Sequence, residues 1–175
     1  AAVGAGVGGG CWRVGGVRGV TGQGVGVATI GSGISPDSAL VNKVVANVSL
    51  ITGDPSTADA YGHGTHIAGI IAGNTTAAQS VTGLFNGGVA PGVQLVNVRV
   101  LGADGIGRTS DVIAGIQWAI ANRARYNIRI INLSLGHPVM EPSAADPLCE
   151  VVADAVSAGM VGVAAAGKDG GPEGH

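Results

Sequence analysis

Charged residues are scarce in this chain of 175 residues, at 11% of the sequence, while hydrophobic residues make up 46%. Low charge is not a sign of disorder here, because the apolar residues come as β-branched runs and helical stripes. The formal net charge of −2 offers no basic patch for nucleic acid. These features predict one folded domain with a parallel sheet that is buried on both faces.

Long apolar runs and cysteines are also scarce. No uninterrupted apolar stretch reaches the length of a membrane span, so none is expected. Cys11 and Cys149 could pair, but an unpaired Cys149 buried in a helix is the favoured interpretation. The chain does not begin with Met or with a charged segment before an apolar one, which predicts that a secretion signal is absent or already removed. The compartment and the oligomeric state stay open.

Glycine is abundant, at 33 residues, and residues 1–20 are especially rich in it. Such a segment has high backbone entropy and few side chains with which to order itself. We therefore predict a disordered arm over residues 1–20 and a partial domain over residues 21–175.

Strand and helix patterns alternate along the predicted domain. The predicted strands are Val25–Ile30, Val44–Ile51, Gln94–Leu101, Ile128–Leu133 and Met160–Ala166. The predicted helices are His63–Ala72, Asp111–Arg125 with Thr109 or Ser110 as its cap, and a third helix that Asp146 caps and Gly159 ends. This rhythm predicts an α/β fold, a parallel sheet with helices on both faces.

The segment Tyr61-Gly62-His63-Gly64-Thr65-His66 carries the most specific chemical signal. It resembles the histidine motif of the subtilisin-like serine peptidases. Further segments resemble other motifs of that family in the same order, and they are Val25–Ile34, Val89–Gly105, Ile131–Gly136 and Val163–Gly170. The resemblance covers nearly everything from about residue 20 onward. It implies the subtilisin-like fold, truncated before the serine-bearing helix, and a peptide or protein substrate.

The catalytic positions that the resemblance implies are degenerate. His63 stands at the position of the general base, Gly31 at that of the aspartate, and Lys168 at that of the asparagine that donates to the oxyanion. The serine motif Gly-Thr-Ser-Met-Ala does not occur in the 175 residues. A hydroxyl nucleophile needs an imidazole base, an orienting carboxylate and an oxyanion hole. We therefore expect no hydrolysis by this chain, and we expect Lys168 to be a solvated side chain.

Two segments resemble the edges of the family's substrate cleft, where extended backbone pairs with a peptide as added strands. They are Gly105-Ile106-Gly107 and Ser134-Leu135-Gly136, and the resemblance adds Ala165 and Gly167 to the substrate-binding set. The alternative is that Ser134 and Leu135 only end a strand.

Metal and cofactor patterns are weak. His63 and His66 are three residues apart with no glutamate between them and no evident third ligand, so zinc is not expected and His66 should pack or hydrogen-bond behind His63. The glycines of Gly31-Ser32-Gly33 do not continue into a dinucleotide fingerprint. Calcium is possible by resemblance, in the loops around Asp54 or between Asn74 and Gly88, but its ligands are not identifiable.

Three functional hypotheses remain open at this stage. The chain is a portion of a subtilisin-like endopeptidase, or a pseudoenzyme that binds peptides without cutting them, or a non-functional remnant. Export from the cell follows only from the resemblance. Without the serine-bearing helix, the sheet should expose apolar side chains and self-associate. The residues expected to be exposed are Val27, Ile30, Val96, Val98, Ile130 and Leu133.

Overall fold

The computed structural model describes residues 20–74, 76–77, 80, 87–136 and 142–165, and its ordered elements alternate between strand and helix. The strands are β1 Gly26–Gly31, β2 Val44–Ser49, β3 Gln94–Arg99, β4 Ile128–Leu133 and β5 Val161–Ala164. The helices are α1 His63–Ala72, α2 Thr109–Asn122 and α3 Pro147–Ser157, and a 3-10 turn spans Ser38–Leu40. Residues 1–19 of the predicted arm lie outside the described ranges.

The five strands form one parallel sheet in the order β2-β3-β1-β4-β5. The chain therefore passes from β1 to the edge strand β2, returns to place β3 between β2 and β1, and then adds β4 and β5 on the other side of β1. In open parallel sheets such a reversal leaves a crevice at the carboxyl ends of the central strands, where ligands bind. The crevice here lies beyond β1 and β4.

Two apolar clusters cover the two faces of the sheet, because successive side chains of a strand point in opposite directions. On one face Val27 and Leu95 pack with Ala68 of α1. On the other face their neighbours in sequence, Ala28 and Val96, belong to the cluster that holds the buried stripes of α2 and α3. The predicted α/β fold, with a parallel sheet and helices on both faces, is confirmed.

The ends of the helices follow the predicted signals in α3 but not in α2. The Asp146 carboxylate accepts a hydrogen bond from the Leu148 amide at 2.8 Å, and Gly159 has a φ of 86° just after α3, both as predicted. The predicted cap of α2 is wrong. The helix already includes Thr109 and Ser110, and Arg108 stands at the N-cap with no side-chain bond to the helix. The Ser110 hydroxyl points to the Asp111 carboxylate instead, at 3.4 Å.

The prediction that the central strands expose their apolar side chains is wrong. Five of the six residues are at most 4% exposed, and they are Val27, Ile30, Val96, Val98 and Leu133. Only Ile130 is half-buried. The physical reason is that β1, β3 and β4 receive cover from the helices of this chain itself, α1 on one face and α2 on the other.

Apolar exposure lies instead at the edge strand β5. Val161 is 60% exposed and Val163 is 50% exposed. Gly162 lies between them, and a Cβ built on it would be 3.6 Å from Val152 of α3. Since side chains alternate along a strand, Val161 and Val163 point to the opposite face, the one that carries α1 over the central strands.

The environment of Cys149 also differs from the prediction. Cys149 is exposed and forms no disulfide within the described ranges. The buried positions of α3 are Val151 and Ala155, and Cys149 lies outside that stripe.

None of the helices in the described part of the chain is long and apolar enough to cross a membrane.

We predict that β5 is the main source of self-association. The double substitution Val161→Lys with Val163→Lys should reduce binding of a hydrophobic dye at least about twofold, because charges on an edge strand oppose pairing with another chain. Dye fluorescence and light scattering measure the effect. A matched control is Val41→Lys with Val156→Lys, which charges two valines outside the strands that are also exposed, at 59% and 54%. An equal reduction by both pairs would contradict the assignment to β5.

Candidate functional site

Three predicted site positions meet at the crevice beyond β1 and β4. Gly31 is the last residue of β1, Ser134 follows β4 directly, and His63 is the first residue of α1. The Nε2 atom of His63 lies 3.0 Å from the carbonyl oxygen of Ser134. The structure thus gathers residues that are 71 positions apart in sequence around one small cavity.

This contact determines the state of the half-buried His63 ring. A carbonyl oxygen can only accept a hydrogen bond, so Nε2 is the nitrogen that carries the hydrogen. The Nδ1 atom has no hydrogen-bond partner within the described ranges. A histidine that serves as general base toward a hydroxyl needs Nε2 as a free acceptor, and a carboxylate on Nδ1–H holds it in that tautomer. In this structure Nε2 donates to the Ser134 carbonyl instead, so it is not a free acceptor.

Position 31 leaves space that no side chain fills. A Cβ built on Gly31 would meet no heavy atom within 4 Å. The main chain there is held in place, since the Gly31 carbonyl accepts hydrogen bonds from Val100 at 2.8 Å and from Leu101 at 3.1 Å. A Cβ at position 31 would therefore meet no steric clash, and the space there is open because the residue is glycine.

The first turn of α1 approaches the end of β1 very closely. A Cβ on Gly64 would lie 2.1 Å from the carbonyl oxygen of Gly33, so only glycine fits. The Gly64 amide donates to Ser32 Oγ at 2.9 Å. Gly62 precedes the helix with a φ of 92°, which glycine adopts without strain. These contacts fix where His63 begins the helix.

Asp59 supplies the cap that α1 lacks at its own N-cap residue. Its Oδ1 accepts from the Gly62 amide at 2.8 Å, and its Oδ2 accepts from both the amide and the hydroxyl of Thr65 at 2.7 Å. Asp59 is 8% exposed. Burial opposes its ionisation, but the hydrogen bonds from Thr65, Ser32 and Gly62 outweigh that effect and hold the pKa of Asp59 below its ordinary value. A buried carboxylate therefore lies just before His63 in sequence and anchors its turn.

A larger cleft of about 490 Å³ adjoins His63. It is lined by all six residues predicted for the two edges of the substrate cleft, Gly105, Ile106, Gly107, Ser134, Leu135 and Gly136. Ala165 lies elsewhere, exposed, with its amide on the Leu133 carbonyl at 3.1 Å. Gly167 and Lys168 lie outside the described ranges. A volume of this size is typical of ligand pockets.

Several lining residues were not predicted, and they are Tyr61, Leu101, Thr109, Val112 and Leu148. A Cβ built on Gly105 would be 2.7 Å from Tyr61 Cζ, so the Tyr61 ring lies directly against Gly105. Leu148 comes from α3 and Val112 from α2, and no sequence pattern links them to His63. Asp59 was detectable in principle, as an acidic residue placed just before the helix that His63 begins.

The prediction for His66 is wrong, because its side chain is exposed and does not pack behind His63.

Among the described residues no group of three or more His, Cys, Asp or Glu could hold a metal. Asp54, at one of the loops considered for calcium, pairs with Arg99 at 2.8 Å and accepts from the Ser56 amide at 3.0 Å. Those bonds, with Arg99 first, hold the pKa of Asp54 below its ordinary value. Its neighbourhood does not fit a calcium site.

The fold and the site define an α/β protein with a histidine at the start of a helix over a parallel sheet, beside a peptide-sized cleft. The profile of the subtilase family matches residues 22–174. Subtilisin BL of Lederbergia lenta is 43% identical over 153 residues, which is 87% of this chain and 51% of that protein. The alkaline protease of Alkalihalobacillus alcalophilus is 42% identical over 153 residues, with 87% of this chain and 36% of that protein covered.

A solved structure supports the same assignment. A crystal structure of a cold adapted subtilisin-like serine proteinase superposes with a TM-score of 0.68 at 30% identity, covering 85% of this chain and 48% of that one. The chain belongs to the subtilase family, as the motifs predicted. It spans about half the length, or less, of the relatives it matches.

We predict that Asp59→Ala lowers the free energy of unfolding by about 1–3 kcal/mol, because the amides of Gly62 and Thr65 lose a charged acceptor. The pKa of Asp59 is lower in the folded state, so its stabilisation is present above about pH 4 and is lost as the pH falls through the folded-state pKa. Urea unfolding at pH 7 and at pH 3 measures both effects. The difference between variant and parent should shrink at pH 3. Asp154→Ala, at an exposed position of α3, is the control, and an equal loss there would contradict the role of Asp59.

Proposed function

We propose that this chain is the portion of a subtilisin-like serine endopeptidase that carries the histidine and the two edges of the peptide cleft. The observation that carries the proposal is the position of His63 beside a cleft that the residues 105–107 and 134–136 line together. Hydrolysis of peptide bonds by an aspartate, histidine and serine triad is the activity that family membership suggests for a complete domain. Peptides and proteins are the corresponding substrates.

We further propose that the 175-residue chain by itself binds peptides without cutting them. Gly31 offers no carboxylate to orient His63, and the Nε2 atom of His63 is engaged by Ser134. In a serine protease triad, loss of the carboxylate lowers the rate roughly 10⁴-fold, because the histidine then adopts the wrong tautomer. The sequence also contains no Gly-Thr-Ser-Met-Ala segment to supply a nucleophile. Peptide binding needs neither the nucleophile nor the carboxylate.

The cleft favours an extended peptide with apolar side chains. Residues 105–107 line one edge of the cleft and residues 134–136 line the other, so that a peptide lying between them can hydrogen-bond as an added strand. Val112, Leu135 and Leu148 provide apolar walls between the two edges.

Calcium binding and export from the cell remain part of the family-based proposal. Lys168 is proposed as a solvated residue that does not replace the asparagine donor.

Hydrolytic silence is the first test. The 175-residue chain should neither cleave casein nor be labelled by a fluorophosphonate probe. The double substitution Gly31→Asp with Lys168→Asn should remain equally inactive, because it still lacks the activated nucleophile. Gel fluorescence and peptide release measure the outcome. Serine labelling that disappears in His63→Ala would overturn the proposal.

Peptide affinity is the second test. A fluorescent peptide with apolar side chains should bind with an affinity that Leu135→Glu weakens at least about tenfold, since a charge would then be buried against the ligand. Fluorescence anisotropy gives the dissociation constants. Val156→Glu, a 54% exposed position near the end of α3, serves as the matched control. No measurable binding, or the same loss in both variants, would contradict a peptide cleft and favour a non-functional remnant.

A further inference from the structure

Tyr61 joins the turn before His63 to the cleft edge at residues 105–107. Its side chain lines the larger cleft and is 56% exposed, and its hydroxyl has no hydrogen-bond partner within the described ranges. A Cβ built on Gly105 would lie 2.7–2.8 Å from three atoms at the hydroxyl-bearing end of the ring, so that end rests on the main chain of Gly105. The exposed part of the ring is an aromatic surface that a bound peptide can contact.

Asp104 stands next to Gly105 in the turn that forms the same edge. Its Oδ1 atom accepts a hydrogen bond from the Ile106 amide at 3.0 Å, and the Gly102 amide closes the turn by donating to the Ile106 carbonyl at 2.8 Å. Asp104 is exposed and forms no ion pair in the described part of the chain, not even with Arg108 four positions later. Its second carboxylate oxygen, Oδ2, is therefore available to a ligand.

A carboxylate beside an exposed aromatic ring is a combination that attracts cations. The face of an aromatic ring carries partial negative charge, and a carboxylate accepts hydrogen bonds from ammonium and guanidinium groups. The described residues that line the cleft include no Asp, Glu, Lys or Arg, so no basic side chain of the lining already pairs with Asp104. Lysine and arginine side chains suit both groups, because their methylene stems cover apolar surface while the charge reaches a polar partner.

We propose that Tyr61 and Asp104 form a subsite for one lysine or arginine side chain of a bound peptide. The stem of that side chain lies along the Tyr61 ring, and its charged end donates to Oδ2 of Asp104. The inference rests on the proposed peptide cleft and narrows its ligand to an apolar peptide that carries one basic residue. Both contacts are exposed to solvent, and each is modest in such a setting, so together they should tighten binding about fivefold.

The experiment measures fluorescence anisotropy with labelled peptides of one apolar sequence, in which a single residue is lysine, arginine, norleucine or glutamate. The varied residue is moved along the peptide one position at a time, so that one set places it beside Tyr61. In that set lysine and arginine should bind about fivefold tighter than norleucine, which has a similar stem and no charge, and glutamate should bind more weakly than norleucine. Raising sodium chloride from about 0.05 M to about 0.5 M should bring lysine and norleucine within about twofold, because salt screens exposed charges.

Matched substitutions separate the carboxylate from the ring. Asp104→Asn removes the charge but keeps an oxygen for the Ile106 amide, and it should reduce the preference for lysine to about twofold. Tyr61→Leu should reduce it to a similar extent, whereas Tyr61→Phe keeps the aromatic ring and should retain the preference. Asp154→Asn removes an equal charge from an exposed position of α3 and should leave the preference unchanged.

The outcomes distinguish this subsite from the peptide cleft itself. If no peptide of the set binds measurably, the cleft is contradicted and the subsite with it. If norleucine binds as tightly as lysine at every position, the cleft stands and the basic subsite is overturned. A lysine preference that survives in both Asp104→Asn and Tyr61→Leu would overturn it as well, and so would an equal loss in Asp154→Asn.

Discussion

The close approach between the first turn of α1 and the end of β1 is the constraint on which the site depends. Gly64 lies against the Gly33 carbonyl at a distance that no side chain permits. The buried amide of Gly64 then needs an acceptor within the protein, and Ser32 Oγ provides it. Asp59 accepts from the amides of Gly62 and Thr65 on either side. A carboxylate and a hydroxyl thus hold the backbone that carries His63, independently of any group that would hold its ring.

This separation explains how the histidine keeps its place although no carboxylate at position 31 holds its ring. The backbone of His63 is fixed by Asp59, Ser32 and two glycines, all of which are present. The orientation of its ring is not fixed by residue 31, because glycine has no side chain that could accept a hydrogen bond. The ring then turns Nε2 to an available acceptor, the Ser134 carbonyl. A site can therefore retain the geometry of its main chain while its histidine carries the hydrogen on Nε2 and not on Nδ1.

The same helices that position the site also decide which apolar surface is hidden. The family resemblance predicted exposed apolar side chains along the central strands, but α1 and α2 cover β1 and β3. The edge strand β5 keeps exposed valines on the face away from α3. The exposed apolar side chains of the sheet are therefore concentrated at this edge strand, away from the central strands.

The sequence by itself determined the family and the order of the strands and helices, and its motifs predicted which residues stand at the catalytic positions. Hydrophobic periodicity, the glycine-rich histidine motif and the Asp146 and Gly159 caps depend on neighbouring residues only, which is why they could be interpreted without coordinates. The bounds of α2, the exposure of Cys149 and His66, and the burial of Val27 or Val98 could not, because they depend on which distant element packs there. The tertiary structure alone brought Asp59 to the turn of His63 and Tyr61 against Gly105. It also set the tautomer of His63, since the acceptor that decides it is a carbonyl 71 residues away in sequence.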